Sequence, residues 1–195
     1  MPRKLREEVE GGVFHVFARG NDQRLIYRDD ADRRAYLRML RGTVKLNRWR
    51  LLAFCLMDNH VHLLVETPTP NLGIGIQRLH SLYAREFNAR YGRSGHVFQG
   101  RYGAVRVTTD AQLWTVVRYL ALNPVEAGLC ARPRDWQWSS YGATLASGSP
   151  SWLDATRLLS YFATVGGDAL ERYAEFVEGG VSTGRVLQAA TPGPR

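Results

Sequence analysis

RWRLLAFCLM DN HVHLLVE, residues 48–66, decides the fold. Two β-rich runs flank Asp58 and Asn59, a two-residue turn with Asx chemistry, so the stretch reads as a β-hairpin. Pro68 and Pro70 end its second strand, because proline cannot donate to a strand ladder. Upstream, VFHVFAR at 13–19 alternates as a strand, with His15, Phe17 and Arg19 on one face and Phe14, Val16 and Ala18 on the other. Asp29, Asp30 and Asp32 supply capping chemistry for a helix over 31–46, with Tyr36, Leu37, Leu40 and Val44 as its apolar stripe. Downstream, Leu72, Ile76, Leu79, Tyr83 and Phe87 mark an amphipathic helix over 71–91. A basic, glycine-rich loop then leads to a short strand, AVRVT at 104–108. Asp110 caps a helix over 111–123, which Pro124 is expected to end or kink. The order β, α, β, β, α, β, α predicts an α+β fold: a ferredoxin-like antiparallel sheet with helices on one face. Helical patterns at 153–162 and 168–178 add a short C-terminal helical extension. The expected division is a main domain over 1–148, the extension over 149–180, and a disordered tail, rich in Gly, Pro, Ser and Thr, over 181–195.

The 195 residues suit one globular core, and no apolar run approaches the length that spans a membrane. The charged leader MPRKLREEVEGG lacks an apolar signal region, and Cys55 and Cys130 form no CxxC pair, so a reducing cytoplasm is expected. The net charge of +8 is unevenly spread: residues 1–50 and 78–134 each carry +6, while 51–77 and 135–195 each carry −2. Such concentration favours a polyanionic partner, although basic residues also serve as plain solvated surface.

DNHVHLL, residues 58–64, carries the candidate chemistry. Residues i and i+2 of a strand project from one face with Cα atoms about 6.5–7 Å apart, so His60 and His62 can converge on one metal ion. If helices cover the apolar side, the imidazoles look out across an open sheet face. A lone HxH describes two solvated histidines equally well. Tyr119 and Asn123, spaced i, i+4, share a helix face, but spacing alone also fits packing and a helix end before proline.

Together, DNHVHLL, RYLALNPVEAGL (118–129), HVFARGN (15–21), VFQGRY (97–102) and WSSY (138–141) resemble the single-tyrosine HUH transposases, above all the REP-associated tyrosine transposases of bacterial chromosomes. The likeness spans roughly residues 13–145. It implies that Tyr119 is a nucleophile that becomes joined to a DNA 5′ phosphate. It also implies that His60, His62 and Asn123 hold a divalent ion, Mg²⁺ or Mn²⁺. The implied partner is single-stranded or hairpin DNA, the implied location the cytoplasm at the nucleoid. The implied assembly is a monomer or a homodimer, since some relatives exchange the tyrosine helix between sites. Ala121 stands where some relatives carry a histidine two residues after the tyrosine.

Arginine and aromatic side chains hold phosphates and stack unpaired bases, so Arg93, Arg101, Tyr102 and Arg106 are candidate DNA-binding residues, with Arg19 beside the same sheet face. His15 shares that strand face with Arg19 but fits equally well as a structural histidine hydrogen-bonded in the sheet, and it is left outside the site. The competing readings are a non-catalytic nucleic-acid binder on the same fold and a metal hydrolase of a small phosphoester. The usual RNP aromatic pattern is not evident in either VFHVFAR or AVRVTT.

Overall fold

The computed structural model describes residues 10–146, 148–163 and 167–179; the tail expected from residue 181 lies outside the described residues. Its strands are β1 (Gly12–Arg19), β2 (Arg50–Leu56), β3 (His60–Thr67) and β4 (Gly103–Val107). Helix α1 (Asp30–Asn47) follows β1, α2 (Leu72–Arg90) follows β3, and α3 (Asp110–Glu126) follows β4. Then come α4 (Ser140–Leu145), α5 (Ala155–Ser160) and α6 (Ala169–Glu178). The strands are antiparallel in the order β2-β3-β1-β4, the ferredoxin-like arrangement that the sequence predicts.

Local chemistry sets the first layer. The Asp29 carboxylate accepts from the Asp32 amide at 3.0 Å and starts α1. The helix ends where Arg48 turns left-handed (φ 55°) and Trp49 N returns to the Val44 carbonyl at 3.0 Å. Tyr36, Leu40 and Val44 of α1, with Ile76, Leu79 and Tyr83 of α2, are buried against Phe14, Val16, Val61, Leu63 and Val65 of the sheet. Helix α2 sits close on Trp49: a Cβ built on Gly75 would lie 2.2 Å from the indole.

The opposite sheet face is covered as well, which corrects the expectation that the histidines look across an open surface. Leu113, Val117 and Leu120 of α3 pack with Leu52, Cys55 and Leu64, and Tyr141, Leu158, Tyr173 and Val177 continue that core into α4–α6. The cause is visible in β2. A bulge between Leu51 and Ala53 shifts its register, and every residue from Leu51 to Leu56 is buried, so this strand has no solvent face. Helix α3 also runs past Pro124 to Glu126. The donor that proline lacks falls in the last turn, where one bond is lost, and Ala127 N closes the helix on the Asn123 carbonyl at 3.0 Å. The extension is stitched to the sheet edge: Asp154 N donates to the Leu51 carbonyl at 2.8 Å, and Arg157 and Arg50 both pair with the buried Glu66.

Candidate active site

The register of β1 on β3 sets Phe17 opposite His62 and Arg19 opposite His60, so His15, Phe17, Arg19, His60 and His62 share one face. Gly103 of β4 leaves room for the Phe17 ring, since a Cβ there would lie 2.3 Å from it. The His60 and His62 rings stand 5.0 Å apart and nearly perpendicular. Each has one engaged nitrogen: His60 Nδ1 lies 2.7 Å from Asn59 Oδ1, and His62 Nδ1 lies 3.0 Å from His15 Nε2. His62 is buried, and its Nε2 has no hydrogen-bond partner among the described residues. Burial disfavours the charged ring, so all three histidines are harder to protonate than usual. His15 is pushed down to about 4 by burial. His62 falls well below the ordinary value, by burial first and then by its two histidine neighbours. His60 is lowered by burial and by the Arg19 charge, with Asn123 and Asp58 opposing. Neutral imidazoles are the form that binds metal.

Helix α3 supplies the other half. Thr109 caps it by accepting from Gln112 N at 3.2 Å. Two turns from its end it lays the half-buried Tyr119 edge-on to His62, with ring centroids 5.2 Å apart, and to His15 at 6.1 Å. The buried Asn123 acts on both groups: it favours the protonated form of His60 and the ionised form of the Tyr119 phenol. Burial raises the phenol above its ordinary value and Glu126 adds to this, whereas Asn123 favours the phenolate. Arg118 turns away, as its one-residue offset predicts: its Nε donates to the Phe176 carbonyl at 2.8 Å and its guanidinium lies 3.7 Å over the Phe176 ring. Two imidazoles, an amide and a phenol thus meet on one face although β3 and α3 lie more than forty residues apart.

The family model for IS200-like transposases matches residues 8–123, which contain His60, His62, Tyr119 and Asn123. The chain belongs to the IS200-like transposase family. Over 157 residues it is 26% identical to a Haemophilus influenzae protein described as a REP-associated tyrosine transposase, covering 72% of this chain and 86% of that one. A solved REP-associated tyrosine transposase, described as bound to a REP hairpin, matches with a TM-score of 0.64 at 15% identity, over 78% of this chain and 90% of that one. At that identity the match speaks for the fold.

In this chain the sequence-predicted DNA contacts do not form one wall. Arg19 is exposed on the histidine face and bonds Gln23 at 3.1 Å. The loop bearing Arg101 reaches it, because Gln99 N donates to the Arg19 carbonyl at 2.9 Å; Arg101 is exposed. Arg106 is paired with Phe14 and so points to the α1–α2 side of the sheet. Arg93 lies over Phe87 at the end of α2. Tyr102 is buried in the first core, so its ring is not presented to a base. Ala121, two residues after Tyr119, faces the second core and not the histidines.

Among the described residues no three His, Cys, Asp or Glu side chains converge as a metal site. A divalent ion would rest on His60, His62 and the Asn123 amide. The donor chemistry fits such an ion: two neutral imidazoles, one with a buried unpartnered Nε2, stand beside an amide. Asp58 is not available to it, being paired with Arg33. His15 and Asn59 are the site residues that sequence reasoning missed. Strand alternation put His15 on the correct face, but only the β1–β3 register brings it to His62.

Proposed function

We propose that this transposase cuts and rejoins single-stranded DNA through Tyr119, by way of a 5′-phosphotyrosine intermediate, and that its substrate is hairpin-forming repeat DNA. The observation that carries this reading is Tyr119 seated against His62, its ring centroid 5.2 Å from the imidazole, with Asn123 one turn farther along the same helix. A similar solved transposase, described as bound to a REP hairpin, supports the choice of DNA. The Tyr119 oxygen attacks phosphorus, the bond to the 3′ oxygen breaks, and that oxygen leaves as a 3′-OH after taking up a proton. A later 3′-OH attacks the phosphotyrosine, restores a phosphodiester and returns the phenol. Bond energy is kept in the covalent intermediate, so no nucleotide cofactor is required. Asn123 orients the phenol oxygen and favours its ionised form against the opposing burial. Arg19, opposite His60, places positive charge where a backbone phosphate would approach. Mg²⁺ or Mn²⁺ held by His60, His62 and Asn123 would supply Lewis-acid polarisation of the phosphate.

Tyr119→Phe removes one oxygen and keeps the ring. Incubated with labelled single-stranded hairpin DNA and Mn²⁺, wild type is expected to give a denaturation-resistant DNA–protein adduct. The variant is expected to give less than about one-thousandth as much. An adduct retained in Tyr119→Phe would move the nucleophile elsewhere, and cleavage without any adduct would point to an activated water.

A further inference from the structure

Both histidines of the pair use Nδ1 inside the protein. For His60 the surrounding bonds fix the proton. Asn59 Nδ2 donates to the Gln23 carbonyl at 3.1 Å, which makes Asn59 Oδ1 the atom facing His60 Nδ1 at 2.7 Å. An amide oxygen only accepts, so the neutral ring carries its proton on Nδ1 and a lone pair on Nε2. The anchoring carbonyl is itself held by an unusual turn: Asp22 and Gln23 adopt left-handed φ values of 55° and 56°, and Gly20 N donates to the Asn59 carbonyl at 2.7 Å. For His62, one of two nitrogens 3.0 Å apart, its own Nδ1 or His15 Nε2, must donate. Donation from His15 would leave His62 a buried Nε2–H with no acceptor among the described residues, the rarer and costlier kind of orphan. Donation from His62 leaves a lone pair on that Nε2.

We infer that His15 and Asn59 are positioning residues that hold His62 and His60 in the Nδ1–H tautomer and leave both Nε2 lone pairs available to a divalent cation. The inference rests on the metal-assisted reading of the site and adds the residues that prepare it. It gives His15 a chemical role, since with Nε2 accepting from His62 the His15 proton sits on its own Nδ1. Outer partners of this kind fix ring orientation and tautomer, and their loss typically weakens metal binding by about 10–100-fold.

The experiment uses the full chain without DNA. Nitrogen-15 NMR of the imidazoles in the metal-free protein near neutral pH is expected to show Nδ1–H at both His60 and His62. Mn²⁺ titration followed by electron paramagnetic resonance then compares His15→Phe, which keeps a ring and loses the acceptor, with His15→Gln, which keeps an acceptor. The first is expected to bind Mn²⁺ about 10–100-fold more weakly and the second within about threefold of wild type. An Nε2–H tautomer at His62 in wild type overturns the inference without any variant, so it stays testable if His15→Phe fails to fold. Wild-type affinity in His15→Phe, with loss in His62→Ala, overturns this inference alone. Absence of Mn²⁺ binding in wild type, or binding indifferent to His62→Ala, overturns the metal reading and this inference with it.

Discussion

His80 is a half-buried base that the proposed chemistry leaves aside, and it gives a measure of what desolvation costs. Its ring stacks on Phe98 at 4.2 Å, its Nε2 lies 3.3 Å from the Tyr36 hydroxyl, and desolvation pushes it down to about 3. Above pH 7 the ring is neutral whether the chain is folded or not. As pH falls through about 6.5 the unfolded chain takes up a proton that the folded chain refuses, so stability is lost between there and the folded value. At pH 5 this amounts to about 2 kcal/mol. His80→Gln cannot titrate, so the drop in unfolding free energy between pH 7.5 and pH 5 is expected to shrink by about 2 kcal/mol in urea titrations. An unchanged drop would mean that His80 protonates without unfolding the protein. At this scale the sequence was legible where a motif names its residues: HVH, and the tyrosine with an asparagine one turn on. It was not legible for His15 or Asn59, whose roles depend on which atom of a neighbouring ring they meet. That Tyr102 is buried and that Arg106 shares the strand face of Phe14 could not be read there either, because residue type does not reveal burial or the face of a strand.

Among the elements, helix packing reverses the ordinary meaning of a glycine. Gly42 in α1 has open space at its missing Cβ, whereas Gly75 in α2 faces the Trp49 indole at 2.2 Å. Alanine favours a helix over glycine by about 1 kcal/mol, so Gly42→Ala is expected to stabilise by up to that amount. Gly75→Ala carries the same propensity gain but must push α2 off Trp49, and overpacking costs about 1–3 kcal/mol. A net loss is expected there, with the two variants moving the melting temperature in opposite directions. Equal shifts would show that α2 yields freely. Helix and strand positions were readable from apolar periodicity and capping residues, and the observed ends lie within a residue or two for β1, α1, α2 and β4. The end of α3 was not, because the penalty for Pro124 is small in a last turn whose Leu122, Asn123 and Pro124 are buried. The coverage of the second face had a signal too: LLAFCLM is apolar at both strand parities, which a strand with one wet face would not be.

Over the whole molecule, charge pointed to a class of partner without locating its surface. The charge excess of the first fifty residues favoured a polyanionic partner, and within it Arg33 pairs with Asp30 and Asp58, and Arg38 pairs with Glu86. Farther along, Arg90 pairs with Asp29 and Asp32. Net charge does not say which cations already have partners. The decisive whole-molecule feature is that a single chain assembles both halves of the site. Only Thr108 and Thr109 separate β4 from α3, and Leu113, Val117 and Leu120 bury the helix on Leu52, Cys55 and Leu64 of its own sheet. The link is too short to send α3 to another molecule without stripping that face of its cover. A mixing experiment decides between this arrangement and one in which the tyrosine helix is exchanged between protomers. Tyr119→Phe keeps the histidine pair and lacks the nucleophile, while His62→Ala keeps the nucleophile and lacks one histidine. If α3 stays on its own sheet, the two proteins incubated together with labelled hairpin DNA and Mn²⁺ are expected to form no more adduct than either alone. If α3 is exchanged, one hybrid site would hold the wild-type Tyr119 with an intact His60 and His62. Adduct would then reappear in the mixture, on the His62→Ala chain, and would show that the working transposase is an assembly of two chains.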